Sequence, residues 1–213
     1  MHEGQGVKPV CEMRAFLSAV FIASLLCGAC SRTPQITPLS DDAVIVAFGD
    51  SLTQGIGADD EYAYPELLQK RIGVTVVNEG ISGEITAEGL ARLPGVLAAH
   101  DPDLVILLHG GNDILRKLPR GETRENLQSM IDQILDGGAD VVLIGVPEFN
   151  FFTDTAPIYR ELAETNALPA QLEILARLER KPRYKSDGVH LNNAGYAKLA
   201  GAIHELIAHA GAL

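Results

Sequence analysis

The chain has 213 residues, a length that suits one domain of moderate size with room for a tail. Hydrophobic residues make up 46% and charged residues 21%, a composition that excludes a wholly disordered chain. The net charge of −11 and the absence of tryptophan leave neither the basic footprint nor the stacking platforms that nucleic-acid binding uses, and no charge attraction to anionic lipid.

All three cysteines, Cys11, Cys27 and Cys30, fall in the first 30 residues, so the remaining chain holds no disulfide, zinc-thiolate site or cysteine nucleophile. Residues 15–29 are apolar and uncharged, with Arg14 just before them. A helix of that length spans about 22 Å, short of the ~30 Å hydrocarbon core. A basic residue, a short apolar run and small residues together read as a secretory signal over residues 1–29. Gly28-Ala29-Cys30 resembles a bacterial lipoprotein cleavage box, in which Cys30 is lipidated, although Cys27 stands where such boxes usually carry Leu. Ser31 after the cysteine resembles the outer-membrane sorting class. The expectation is an exported, periplasmic lipoprotein of a Gram-negative outer membrane, or else a secreted protein. Residues 30–41, with Pro34 and Pro38 and no long apolar run, read as a tether. Residues 42–213 are the expected domain.

Along that domain, Val44–Phe48 is a β-branched and apolar run bounded by Asp42 and Gly49, a buried strand. Tyr64–Ile72 reads as a helix with Pro65 in its first turn. Val74–Val77 is a second strand. Glu84–His100 carries Leu90, Leu93 and Leu97 at helical spacing, with Pro94 expected to kink or split it. Leu104–Leu108 is a third strand after the turn residues Asp101-Pro102-Asp103. Thr123–Leu135 repeats Leu127, Met130, Ile131, Ile134 and Leu135 at three and four, an amphipathic helix. Val141–Val146 is a fourth strand. Ala156–Glu164, Ala170–Arg180 and Asn192–His209 read as helices, and Ala167-Leu168 is the weak candidate for a fifth strand. Continuous apolar strands alternating with helices predict an α/β fold, a parallel sheet covered on both faces.

In such folds reactive groups sit at the carboxyl ends of the strands. Gly49-Asp50-Ser51-Leu52 follows the first strand, where a serine hydroxyl can be exposed at a strand-to-helix turn; a serine there can equally cap the helix. No Gly-Lys-Ser/Thr follows, and Gly55 and Gly57 complete no dinucleotide fingerprint. Asn78–Gly83 follows the second strand, and a glycine amide there can approach a ligand closely or simply serve a tight turn. Gly110-Gly111-Asn112-Asp113 follows the third strand; an asparagine amide can donate to a developing oxyanion, or cap the next segment. Asp187 and His190, three apart before the last helix, can pair so that the carboxylate fixes the imidazole tautomer and leaves the other ring nitrogen as a base. An isolated pair of this kind is also common on a solvated loop. Phe149, Phe151 and Phe152, half of the six phenylalanines, cluster after the fourth strand, either packed beneath the loop or forming an acyl-binding lip. His109 reads as a packed strand-end residue, and Asp50 and Asp113 as turn braces.

With these four motifs in this order, the chain resembles the SGNH hydrolases, also called GDSL esterases and lipases, from about Val44 to Ile207. It is nearest to the bacterial branch of arylesterases, thioesterases and lysophospholipases. The resemblance implies a three-layer α/β/α, flavodoxin-like sheet. It implies Ser51 as nucleophile, His190 as base and Asp187 as its orienting carboxylate, with the Ser51 and Gly83 amides and the Asn112 side chain as oxyanion donors. It implies a small acyl ester or thioester as substrate and neither metal nor cofactor. The family often has Pro where Leu191 stands, and relatives usually carry a fifth strand where Leu168–Lys181 reads as helix. Two other functions stand beside it: removal of acetyl groups from carbohydrate, and a surface-anchored binding protein that keeps the fold without turnover.

Overall fold

Short runs of β-branched and aliphatic residues lie side by side as five parallel strands in the computed structural model, which describes residues 1–2, 34–148 and 154–213. The strands are β1 (Val44–Gly49), β2 (Thr75–Gly80), β3 (Leu104–Leu108), β4 (Asp140–Ile144) and β5 (Ala170–Gln171). Their spatial order is β2-β1-β3-β4-β5. β1 and β3 occupy the centre, with Val46 opposite both Val77 and Val105. Every residue of β3 is buried, as expected of a strand covered on both faces.

Helices α1 (Ser51–Gln54), α2 (Tyr64–Ile72), α3 (Thr86–His100), α4 (Gly111–Leu115), α5 (Arg120–Asp136), α6 (Pro157–Thr165), α7 (Ile174–Glu179) and α8 (Asn193–His209) make up the rest of the α/β framework. α2 and α7 pack with α8, while α3 and α6 pack with α5, giving the three-layer α/β/α arrangement expected from the sequence. The core joins the sheet to Leu68, Leu93, Leu127, Ile131, Leu199 and Ile203 from the helices. The order places the reversal of chain direction between β1 and β3, so a crevice opens above their carboxyl ends.

Three features differ from the sequence reading. α3 runs unbroken through Pro94, which is exposed, so the Leu90 carbonyl freed by the missing N–H lies on the solvent side. The fifth strand is Ala170–Gln171 rather than Ala167-Leu168, and the helix expected from Ala170 starts at Ile174. Ala170 and Gln171 pair with Leu143 and Ile144, and the sheet edge overrides local helical preference there. Finally, residues 34–41, the described part of the expected tether, are docked through Ile36, Thr37 and Leu39 rather than free. The Ile36 and Leu39 amides donate to the Ala210 and Ala212 carbonyls at 2.9 Å each, and Thr37 donates to Asp140 Oδ2 at 2.7 Å. The Ile36 side chain is buried against the core, giving the segment an apolar anchor. Cys30 and all of the expected signal beyond residues 1–2 lie outside the described residues. Among the described residues no helix is long and apolar enough to cross a membrane.

Candidate active site

β1 delivers the chain to Asp50, which is almost fully buried and accepts the Leu52 amide through Oδ1 at 3.1 Å. Burial pushes its carboxyl above the usual carboxylate range. Asp50 thereby caps α1, as the turn-brace reading expected, and leaves Ser51 at the first helical position. The position of α1 is fixed from below by Gly80. A Cβ on that residue would lie 2.1 Å from the Gln54 nitrogen, so β2 and α1 approach as closely as backbone allows.

The Asp187–His190 loop closes over Ser51 from the other end of the sequence. Asp187 Oδ1 accepts the Val189 and His190 amides at 2.8 Å each, which folds the four residues into a tight turn. Asp187 Oδ2 then meets His190 Nδ1 at 2.7 Å, and His190 Nε2 lies 3.1 Å from Ser51 Oγ. Partial burial would raise the Asp187 carboxyl, but the hydrogen bonds from the imidazole and the two amides outweigh it and hold the group at about 2. The carboxylate therefore stays charged, accepts a hydrogen bond from Nδ1–H, and leaves Nε2 as an acceptor for the serine proton.

This loop is held in turn. Lys185 Nζ donates to the Gly188 carbonyl at 2.7 Å and pairs with Glu179 Oε2 of α7 at 2.7 Å. Gly57 leaves no room for a side chain, since a Cβ would sit 2.2 Å from Ser186 Oγ and 2.7 Å from the Leu191 carbonyl. Sequence reasoning missed Gly57, Glu179 and Lys185 in these roles. No local signal identifies them, because each acts on a residue distant in sequence or across a loop.

The three expected oxyanion donors converge on the same spot. The Ser51 and Gly83 amides have no acceptor among the described residues. Gly83 has φ +81°, a conformation favoured by glycine, and its amide stands at the crevice. Asn112 directs Nδ2 to the Glu84 carbonyl at 3.0 Å, with its second N–H left for a ligand. Ser51, Gly83, Gly111, Asn112, Leu115 and His190 line a cavity of 140 Å³. A larger cavity of 480 Å³, with Ile114, Leu118 and Pro157 in its wall, contains none of Ser51, Asp187 or His190. Asp113 is buried and caps α3 by accepting the Thr86 amide at 2.9 Å. Phe149, Phe151 and Phe152 lie outside the described residues. No group of histidine, cysteine, aspartate and glutamate able to hold a metal lies among the described residues.

A serine, an imidazole and a carboxylate in sequence, facing a cluster of free donors at the switch point of a parallel sheet, define a serine hydrolase of the α/β class. Residues 47–198 match the GDSL-like lipase/acylhydrolase family, and the chain belongs to it. It is an ester-hydrolysing enzyme of that family. An arylesterase of Vibrio mimicus is 37% identical over 160 residues, covering 68% of this chain and 78% of the relative. The thioesterase 1/protease 1/lysophospholipase L1 of Escherichia coli K12 is 31% identical over 156 residues, 70% of this chain and 75% of its own length. Among solved structures, TesA superposes with a TM-score of 0.71 at 28% identity, over 78% of this chain and 99% of TesA. AlinE4, an SGNH-hydrolase family esterase, gives 0.63 at 30% identity, over 82% of this chain and all of AlinE4.

Proposed function

We propose that the protein hydrolyses small carboxylic esters or thioesters by two-step acyl transfer at Ser51. The observation that carries this reading is the continuous relay from Asp187 through His190 to Ser51 Oγ, at 2.7 and 3.1 Å, beside three convergent donors. His190 Nε2 takes the Ser51 proton as Oγ attacks the acyl carbonyl. The Ser51 and Gly83 amides and Asn112 Nδ2 receive the negative charge that forms on the carbonyl oxygen. The leaving alcohol or thiol takes the proton from His190, and an acyl-serine remains. Water, deprotonated by His190, then attacks the acyl-serine and restores the free enzyme. Asp187 stays ionised throughout and supports the imidazolium.

The 140 Å³ cavity at Ser51 is below the ~300–1,000 Å³ typical of pockets that engulf a whole ligand. It accommodates the reacting ester group with a short acyl chain, which also gives support to a second reading, removal of acetyl groups from carbohydrate. The apolar stretch at residues 15–29 and the Gly28-Ala29-Cys30 box support export with anchoring at Cys30 as part of the same proposal. The deciding experiment compares p-nitrophenyl acetate and octanoate hydrolysis by the wild type, Ser51→Ala and His190→Ala. Ser51→Ala should lower kcat by about 10⁴–10⁶-fold. A strong preference for acetate favours small acyl groups, and a preference for octanoate favours lipid esters. Turnover by a folded wild type no greater than that of Ser51→Ala overturns the reading.

A further inference from the structure

Beneath the oxyanion donors lies a buried charge cluster that the acyl-transfer steps do not use. The Glu84 side chain is 5% exposed. Its Oε1 accepts Arg92 Nε at 2.6 Å, and its Oε2 accepts Arg92 Nη2 at 2.9 Å. Oε2 also faces His109 Nε2 at 3.0 Å. His109 is fully buried, and its Nδ1 accepts the Gly110 amide at 2.9 Å. That nitrogen therefore carries no proton, and Nε2–H is the donor to Glu84. Burial would raise the Glu84 carboxyl, but the bonds from His109 and Arg92 hold it below the usual carboxylate range, so the group is charged. Arg92 also stacks over the Phe48 ring at 4.0 Å and donates to the Glu79 carbonyl at 2.8 Å.

A buried ionic cluster is a poor device for stability alone, because desolvation of the charges cancels much of their attraction and a well-packed apolar replacement is often as stable. Its connections explain its place. Glu84 directly follows Gly83, and its own carbonyl holds Asn112 Nδ2. Arg92 reaches the Gly49 carbonyl, two residues before Ser51, at 3.4 Å. His109 begins the Gly110-Gly111-Asn112 turn. The segments that leave β1, β2 and β3 each bring one oxyanion donor, and all three are tied to a single carboxylate. Arg116 Nη2 holds Gly83 from the outer side by donating to its carbonyl at 2.7 Å.

We propose that Glu84, clamped between Arg92 and the Nε2–H of His109, is the positioning residue that sets the geometry of the oxyanion hole. The proposal rests on the acyl-transfer reading above. Glu84→Gln keeps the shape but replaces one acceptor oxygen by an NH₂ group that repels either Arg92 or His109, and so shifts the Gly83 peptide and Asn112. Oxyanion donors act on the transition state, so misplacing them lowers kcat and leaves KM nearly unchanged.

The experiment measures kcat and KM for p-nitrophenyl acetate, and inhibition by butylboronic acid, which forms a tetrahedral adduct on a serine hydroxyl. Glu84→Gln should lose about 10–10²-fold in kcat, within the cost of losing one donor outright. Its boronate inhibition constant should rise in parallel while KM holds. His109→Leu, which removes the other donor, should show the same pattern, and His109→Gln, which restores an N–H toward Glu84, should recover activity. The His109 pair also decides the matter if Glu84→Gln fails to fold. Variants that melt earlier but keep wild-type kcat and boronate affinity per folded molecule overturn the proposal. Asn112→Ala is the control for the underlying reading. If it leaves kcat and boronate affinity intact, the oxyanion hole itself is wrong; if it alone lowers both, only the role of Glu84 falls.

Discussion

Asp187→Asn tests the relay with the smallest change of shape. In the wild type Oδ1 receives two backbone amides at 2.8 Å, and Oδ2 receives His190 Nδ1 at 2.7 Å. The asparagine amide has one oxygen, and two backbone donors on one side outweigh one ring donor on the other. The oxygen stays with the Val189 and His190 amides, and the NH₂ group turns toward His190. It donates to Nδ1, which moves the ring proton to Nε2, the atom 3.1 Å from Ser51 Oγ. A protonated Nε2 cannot take the serine proton. The full tautomer penalty in a serine triad is about 10⁴-fold in kcat, a barrier increase of about 5.5 kcal/mol. The Asp187 side chain is 52% exposed, so water can partly relieve the misplaced proton, and the expected loss is about 10²–10⁴-fold. Both backbone bonds survive but lose the carboxylate's charge, so the variant should stay folded with a modestly lower melting temperature near neutral pH. The assay is kcat for p-nitrophenyl acetate near neutral pH, with thermal unfolding of the same samples. A folded variant that keeps kcat within about tenfold of wild type refutes the tautomer argument.

Gly80→Ala should displace α1, because the new Cβ would sit 2.1 Å from backbone at Gln54, roughly 1 Å too close. A shift of that size at the nucleophile should cost about 10²-fold in kcat, read on the same ester, while unchanged kinetics would mean that β2 rather than α1 yields. Lys185→Met should leave the buried Glu179 carboxylate without its ion pair, at a cost of about 3 kcal/mol near neutral pH by chemical denaturation. Burial already raises the Glu179 carboxyl, and losing Lys185 raises it further. The penalty therefore attaches to the ionised form and should shrink as the pH falls and Glu179 takes up a proton. A deficit independent of pH would assign the effect to packing of the lysine stem. Asp187 behaves oppositely. Its carboxyl is held at about 2, below the unfolded value near 3.8, so the stability from its turn is complete above the unfolded value and is lost as the pH falls toward about 2. Acid unfolding compared between wild type and Asp187→Asn reads this, and identical profiles through that window would contradict it.

The sequence determined more of the site than of the details that hold it. Leu104–Leu108 and Tyr64–Ile72 were legible to the residue, because an unbroken aliphatic run and a Pro-initiated helical period are local signals. The candidate site residues were readable as residue types, Ser51, Gly83 and Asn112 by their place after strands and Asp187 and His190 by their place before the last helix. Asp187 and His190 even carry their own geometry, since a three-residue spacing lets one turn create both the backbone cap and the ring contact. By contrast, β5 has only two residues and hence no period to read, and its pairing with Leu143 and Ile144 comes from the sheet edge. The docking of Ile36 and Leu39 on the carboxyl terminus joins chain ends that carry no mutual signature. Glu84 and Arg92 read only as members of one expected helix and His109 as a packed strand-end residue, and only the convergence of three strands brings Arg92 and His109 onto the Glu84 carboxylate. Nor does any local rule bring Ser51 to His190 across 139 positions. Secondary structure and residue chemistry are set by neighbours along the chain, whereas a reaction geometry and a buried charge cluster are set by neighbours in space, which only the packed sheet and its crossovers decide.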